Sequence, residues 1–352
     1  MIIRSEPFSF VWIVMAGAMA LVAAGLLTGV VRWHANRRQW FDMPNARSSH
    51  TIPTPRGGGV GFVVPFLLAI AILGIAGVMP HAHVAAMLPA GALVAVLGYI
   101  DDRHSVPALW RFLGHGFAAA WVLIWLTPLP PLPVLGIPLN LGGFGPVLYW
   151  LVIVWMVNLY NFMDGIDGLA AVQAVSVAIG GALAARMAGV DQGWIALSLV
   201  VFASCVGGFL AWNFPPARIF MGDAGSGFLG FAVALFGLWS AHEQAVLAWS
   251  WLILTGLFMV DATATLFRRL LKGERVYEAH RNHAYQYAAR RFGSHRSVTL
   301  ACLSINTFWL TPLACVVAAG WVDGFIASVV AYIPLVALVF HFKAGDRAGQ
   351  EQ

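Results

Sequence analysis

Residues 193–230 read GWIALSLVVFASCVGGFLAWNFPPARIFMGDAGSGFLG. The first 20 of them carry no charge, and about 20 apolar residues suffice to cross the hydrocarbon core of a bilayer. The run stops at Asn213 and the two prolines Pro215 and Pro216, and a glycine-rich apolar stretch begins directly behind Asp223. Proline ends a helix because it lacks the backbone donor and clashes with the preceding turn. One span therefore ends in a short polar turn and another starts from it. This is the pattern of a polytopic membrane protein with its polar residues gathered at helix ends.

The rest of the chain repeats that pattern. Its 352 residues are 60% hydrophobic and 10% charged, with a mean hydropathy of +0.79, whereas a soluble domain is about 25% charged. An ordinary soluble enzyme is excluded, and so is disorder, which needs the reverse composition. Eleven apolar segments are predicted as spans, at 8–31, 58–79, 83–100, 111–127, 144–163, 168–185, 193–212, 224–240, 244–267, 298–320 and 321–342. Ten is the alternative count, since the last two nearly abut. The first segment exceeds a signal-peptide core of about 7 to 15 residues and reads as a retained helix. Cys205, Cys302 and Cys315 have neither paired nor metal-like spacing and read as packing residues. The expectation is an all-α membrane protein forming a single domain over 1–352.

With eleven crossings, eighteen of the twenty Lys and Arg residues fall in connections on one side, and Arg4 and Arg186 on the other. By the positive-inside rule the basic side faces the cytoplasm, with the N-terminus outside and the C-terminus inside. The sequence pI of 9.4 then reflects orientation, and no nucleic-acid partner is expected. The polar motifs lie in those same inner connections, which predicts a work site on the cytoplasmic face.

Asp101 and Asp102 end the apolar run LVAVLGYI. Adjacent carboxylates repel unless a cation or proton is shared, so the pair reads either as a metal- or proton-handling site or as a solvated helix terminus. NLYNFMDGIDGLA (158–170) spaces Asn158, Asn161, Asp164 and Asp167 by three. On a continuous helix Asp167 would drift away from the other three, but Gly165 and Gly168 can unwind the helix end and re-aim it toward the same cavity. In FMGDAGSG, Asp223 is a hard oxygen ligand suited to Mg²⁺. The glycines there serve either close helix packing or approach to a phosphate at a helix N-terminus. RRLLKGERVYEAHRNHAYQYAARR (268–291) holds His280 and His283 in a basic connection, read either as a solvated face or as charge opposite a pyrophosphate. FDMPNARSSHTIPTPRGGGVGF (41–62) brings Arg56 to a run of three glycines at a helix start.

Taken in order, these five motifs resemble the polyprenyl-phosphate N-acetylhexosamine-1-phosphate transferases, glycosyltransferase family 4, over about Phe41 to Gln286. Asp101 and Asp102 match that family's paired aspartates. Asn161, Asp164 and Asp167 match its N-x-x-D-G-x-D-G stretch, Asp223 the aspartate implied to bind Mg²⁺, and Phe220 the aromatic implied to hold uracil. His280 and His283 match its histidine-containing loop. HRNHAYQ lacks the consecutive histidines of the peptidoglycan translocases, which favours the branch using a simple UDP-N-acetylhexosamine.

The resemblance implies transfer of a sugar 1-phosphate from a UDP-sugar to undecaprenyl phosphate in a bacterial inner membrane, releasing UMP. Asp101, Asp102, Asp164 and Asp167 are the expected catalytic residues, and Arg56, Asn161, Phe220, His280 and His283 the expected substrate contacts. Asp223 is expected to hold Mg²⁺, with Mn²⁺ as an alternative. UDP-GlcNAc is the expected donor, with UDP-N-acetylfucosamine and UDP-N-acetylquinovosamine as rivals. O-antigen or common-antigen initiation is the expected setting, and a homodimer through apolar spans is a further expectation. The competing class is a transporter or flippase for a phosphorylated substrate, whose acids should lie near the midplane of inverted repeats. The acids here cluster at one face instead.

Overall fold

The helix that begins at Asp223 lies at the centre of the molecule. In it 94% of the apolar window is buried, against 11% in the first helix. The structure is a computed structural model describing residues 10–44, 51–191, 193–274 and 281–345. It begins with α1 (Phe10–Arg38), a two-stranded ribbon of β1 (Phe41–Asp42) and β2 (Thr54–Pro55), and α2 (Val60–Ile75). Then come α3 (His81–His104), α4 (Ala108–Trp125), a second ribbon of β3 (Leu132–Val134) and β4 (Ile137–Leu139), and α5 (Gly145–Met163). The remainder is helical: α6 (Leu169–Met187), α7 (Gly193–Asn213), α8 (Asp223–Glu243), α9 (Leu247–Leu254), α10 (Gly256–Leu271), α11 (Ala284–Phe292), α12 (His295–Ile305), α13 (Thr311–Ala318) and α14 (Gly324–His341). A π-helical turn, Asn306–Leu310, joins α12 to α13.

Among the described residues nine helices are long and apolar enough to cross a membrane, or ten if the bent pair α9–α10 is one span. The expected order of segments holds, with three differences. The predicted 58–79 segment is a helix of 16 residues, about 24 Å long at 1.5 Å per residue. The predicted 244–267 segment is broken at Thr255 and bent by 67°. The predicted 268–296 connection contains α11, and α12 begins at His295. Apolar length fixes which residues span, but a bend between two helical pieces leaves composition unchanged.

Packing around α8 depends on glycines. Gly230 lies against the backbone of Met156 in α5, and Gly98 of α3 against the backbone of Asp223. Any side chain at either site would drive the helices apart, as at small-residue crossings between membrane helices. Phe66, Phe202, Phe228 and Phe236 fill the space between α2, α7 and α8, with ring centroids 5.2–6.1 Å apart. Close packing of this kind carries the ends of α3, α5 and α8 to one place. Cys205 and Cys302 are buried and Cys315 partly so, all unpaired.

Candidate active site

The first amides of α8 have no partner within their own helix. Asp102, in the last turn of α3, supplies one. Its carboxylate accepts from Asp223 N at 2.8 Å and Ala224 N at 3.3 Å, an acid placed where the helix dipole favours it. Gly222, at φ +76°, makes the approach, and a side chain there would collide with that carboxylate. The polar turn quoted at the outset is thus pinned to the paired aspartates.

Arg56 completes the cluster. Its Nη2 lies 2.9 Å from Asp102 Oδ1 and 2.9 Å from Asp223 Oδ1. The chain brings it there by running alongside the FMGD segment: Phe220 N donates to Pro55 O at 2.8 Å, Gly58 N to Phe220 O at 2.9 Å, and Gly59 N to Met221 O at 2.8 Å. The three glycines have a definite use, since Gly59 rests on the backbone of Gly225. Burial opposes the charge of Arg56, but Asp102 and then Asp223 outweigh it, so the guanidinium is held protonated more firmly than usual. Asp101 is bound separately, by Arg111 Nη1 at 2.7 Å and Val106 N at 2.6 Å. Arg111 also stands 4.0 Å from Asp223.

The DGIDG segment is the break expected between two helices. α5 stops at Met163, and α6 starts after Gly168 at φ +73°. The two aspartates do not share one cavity, however. Asp164 is recessed toward the cluster, and burial, then the Asp223 carboxylate, push its carboxyl well above the usual carboxylate range. Asp167 turns elsewhere: its Oδ2 accepts from Ala217 N at 3.0 Å, and its Oδ1 lies 3.3 Å from His295 Nδ1. Thr299 Oγ1 donates to its carbonyl at 2.9 Å. Asn161 Nδ2 donates to Ser226 Oγ at 3.1 Å, and Asn158 Nδ2 to its own helix at Val154 O.

Two recesses are lined by residues of these motifs. One, of about 450 Å³, is lined by Asp167, Phe220, Thr54, Ala217, His295 and Arg296. The other, of about 100 Å³, is lined by Asp101, Arg111, His115, Asn158, Asn161 and Asp223. His115 Nδ1 is buried there without a hydrogen-bond partner. The outer surface of α4 beside this cleft exposes Leu109, Trp110 and Leu113, a face suited to lipid.

His280 lies outside the described residues. His283, one of the expected substrate contacts, folds inward. It is 2% exposed, with Nδ1 3.3 Å from Asp261 Oδ1 and its ring near Phe162 and Tyr285. Charge pattern alone cannot reveal that a histidine in a basic connection folds inward onto an acid of the preceding span. Sequence reasoning missed Arg111, Asn213, His295 and Asp261. Asn213 joins two motifs, accepting from Gly168 N at 3.0 Å and donating to Ile219 O at 2.9 Å. Asp261 carried a signal, being a lone acid within the predicted 244–267 span.

A multi-pass helical protein with a half-buried guanidinium between two carboxylates at one end of its bundle defines a class of membrane enzyme whose chemistry involves charged groups. The chain belongs to glycosyl transferase family 4, whose profile matches residues 84–241. It is 31% identical over 320 residues to the decaprenyl-phosphate N-acetylglucosaminephosphotransferase of Mycobacterium leprae, covering 81% of this chain and 79% of that one. It is 29% identical over 337 residues to a probable undecaprenyl-phosphate N-acetylglucosaminyl 1-phosphate transferase of Bacillus subtilis, covering 93% and 92%. The phospho-N-acetylmuramoyl-pentapeptide-transferase of Moorella thermoacetica is 30% identical over 245 residues, covering 64% and 72%. The protein is therefore a membrane transferase.

Proposed function

We propose that the protein transfers an N-acetylhexosamine 1-phosphate from a UDP-sugar, UDP-GlcNAc foremost, to undecaprenyl phosphate, releasing UMP and starting a lipid-linked surface polysaccharide. The bridge from Arg56 to both Asp102 and Asp223, together with two unlike recesses, carries this reading. Two phosphates must meet there, one from water and one from the bilayer. The Phe220 recess suits the nucleotide, with an aromatic face for the base and Arg296 at its edge. The cleft at Arg111 and His115 suits the lipid phosphate, because its wall continues into the apolar surface of α4. Two of the relatives named above are named for decaprenyl or undecaprenyl phosphate, which supports a polyprenyl phosphate as acceptor. O-antigen initiation is our preferred setting, and the inner membrane our preferred location.

Mg²⁺ fits the donor set. Among the described residues no group of three or more Asp, Glu, His or Cys side chains is arranged as a metal cage. Mg²⁺ does not require one, since it commonly takes one or two carboxylates and completes its shell with substrate phosphates and water. Asp223 would hold it, with Asp102 or Asp164 adjacent, and when bound it would neutralise charge on the pyrophosphate. The acceptor phosphate is largely ionised at neutral pH, so the chain's main task is to offset repulsion between anions. Arg111 can hold the acceptor, and Arg56 can swing from its carboxylates to the donor. Asp102 keeps Asp223 in place by capping α8. Asp101 or Asp164 can accept the residual proton of the lipid phosphate.

The test is purified protein in lipid with undecaprenyl phosphate, Mg²⁺ and a panel of UDP-sugars. UMP release and a lipid-linked product on thin-layer chromatography are expected, first with UDP-GlcNAc. Absence of UMP with every donor would refute the reading.

A further inference from the structure

We propose that Asp261 is a positioning residue for this transfer, acting through the N-terminus of α11 on the Phe162–Gly165 segment that carries Asp164. The inference rests on the transferase reading above. Asp261 sits five residues beyond the start of α10, and its side chain is 7% exposed. A carboxylate buried in a lipid-facing helix is costly unless donors satisfy it, and four converge on it. Oδ1 accepts from Thr265 Oγ1 at 3.1 Å and Ala284 N at 3.0 Å and lies 3.3 Å from His283 Nδ1, while Oδ2 accepts from Tyr285 N at 3.1 Å. Two of the four are the opening amides of α11, which otherwise have no helical partner. Asp261 thus fixes where α11 starts.

That start reaches the site. Tyr285 Oη donates to Phe162 O at 3.0 Å, in the last turn of α5. Gly165 lies so close to Tyr285 Oη and Gln286 Nε2 that a side chain there would collide with both. The turn carrying Asp164 therefore rests on α11, and α11 rests on Asp261. Asp167 is different, because Ala217 N, His295 and Thr299 hold it independently. Loosening Asp261 should therefore disturb Asp164 and spare the Asp167 recess. A purely local capping role would leave the turn unaffected.

The experiment uses the full chain in lipid, comparing wild type with Asp261→Asn, Tyr285→Phe and the double variant by hydrogen–deuterium exchange and by steady-state kinetics. Both single variants should speed exchange across residues 162–165 and leave 167–168 unchanged. Asp261→Asn should lower kcat about tenfold and Tyr285→Phe about threefold, with KM for the UDP-sugar within about twofold of wild type. The double variant should be no slower than Asp261→Asn, because residues acting in one chain are not additive. Unchanged exchange over 162–165, normal kcat, or a double variant as slow as the product of the singles would overturn the proposal. If Asp261→Asn fails to fold, Tyr285→Phe decides alone, since it retains the four bonds to Asp261 and cuts only what the hydroxyl makes with the Phe162–Gly165 segment. A wild type inactive on every UDP-sugar would overturn the transferase reading itself. Undisturbed variants beside an active wild type would overturn this inference only.

Discussion

The recess beside Phe220, with Asp167, and the cleft beside His115, with Asp101 and Asp223, are built from different material. The first is made of connections: the β2 strand, the Pro215–Ala217 turn and the start of α12. The second is made of helix faces, α3, α4, α5 and α8. Connections can place amides, aromatic faces and arginines around a polar ligand of irregular outline. Helix faces continue smoothly into the lipid-facing surface. The difference teaches how one end of a bundle can offer two unlike surfaces, Asp223 lining the second and Phe220, three residues earlier, the first.

The severest way to break the comparison is to remove Asp223, which lines the cleft and follows Phe220 of the recess by three residues. Asp223→Asn should lower turnover by about a thousandfold or more with both substrates and Mg²⁺ saturating, as expected when charge stabilisation at a phosphoryl group is lost. A near-normal rate would refute the metal assignment. Next, Phe220→Ala should raise KM for the UDP-sugar by about tenfold, the scale of one lost base–aromatic stack, and leave KM for undecaprenyl phosphate alone. Initial-rate kinetics with each substrate varied would check this. His115→Ala should do the reverse more weakly, raising the acceptor KM about threefold, the scale of one modest hydrogen bond. Equal effects of the two variants on both substrates would dissolve the distinction between the recesses.

The smallest effect is on stability. Asp164 is held above the usual carboxylate range, so its ionised form is disfavoured in the fold while the unfolded chain ionises freely. Folding therefore loses stability as pH rises from acid toward neutrality. Asp164→Asn should abolish that loss, giving a melting midpoint in metal-free buffer that exceeds wild type near neutral pH and converges with it in acid. Thermal unfolding across pH would show it, and an unchanged difference at every pH would count against it. Turnover should fall in the same variant, an exchange of function for stability often met at active sites.

Spans and motifs were legible in the chain because each depends on local composition. A 20-residue uncharged run can scarcely be anything else, and Asp223, Asp102 and Arg56 announced themselves as charges beside apolar runs. What escaped were pairings. Nothing near Asp102 in sequence says that it caps a helix starting at Asp223, and nothing near His283 says that its partner is Asp261. Asp167 was expected to face the same cavity as Asp164, but an unwound turn leaves its direction to whatever donors surround it, here Ala217 and His295. The bend at Thr255 escaped for a related reason, since it is made by packing and composition runs through it unchanged.

One dimension of the fold sets a condition on its surroundings. At 16 residues, α2 covers about 24 Å where the hydrocarbon of a bilayer is about 30 Å thick. The helix directly follows the glycines that deliver Arg56, so a shortfall in its length falls close to the carboxylates. Lipid must thin locally, or water and headgroups must sink toward the cluster, to close the gap. Membrane thickness thereby becomes a variable of the chemistry: reconstituted into vesicles of progressively longer acyl chains, the protein should slow as the bilayer outgrows α2.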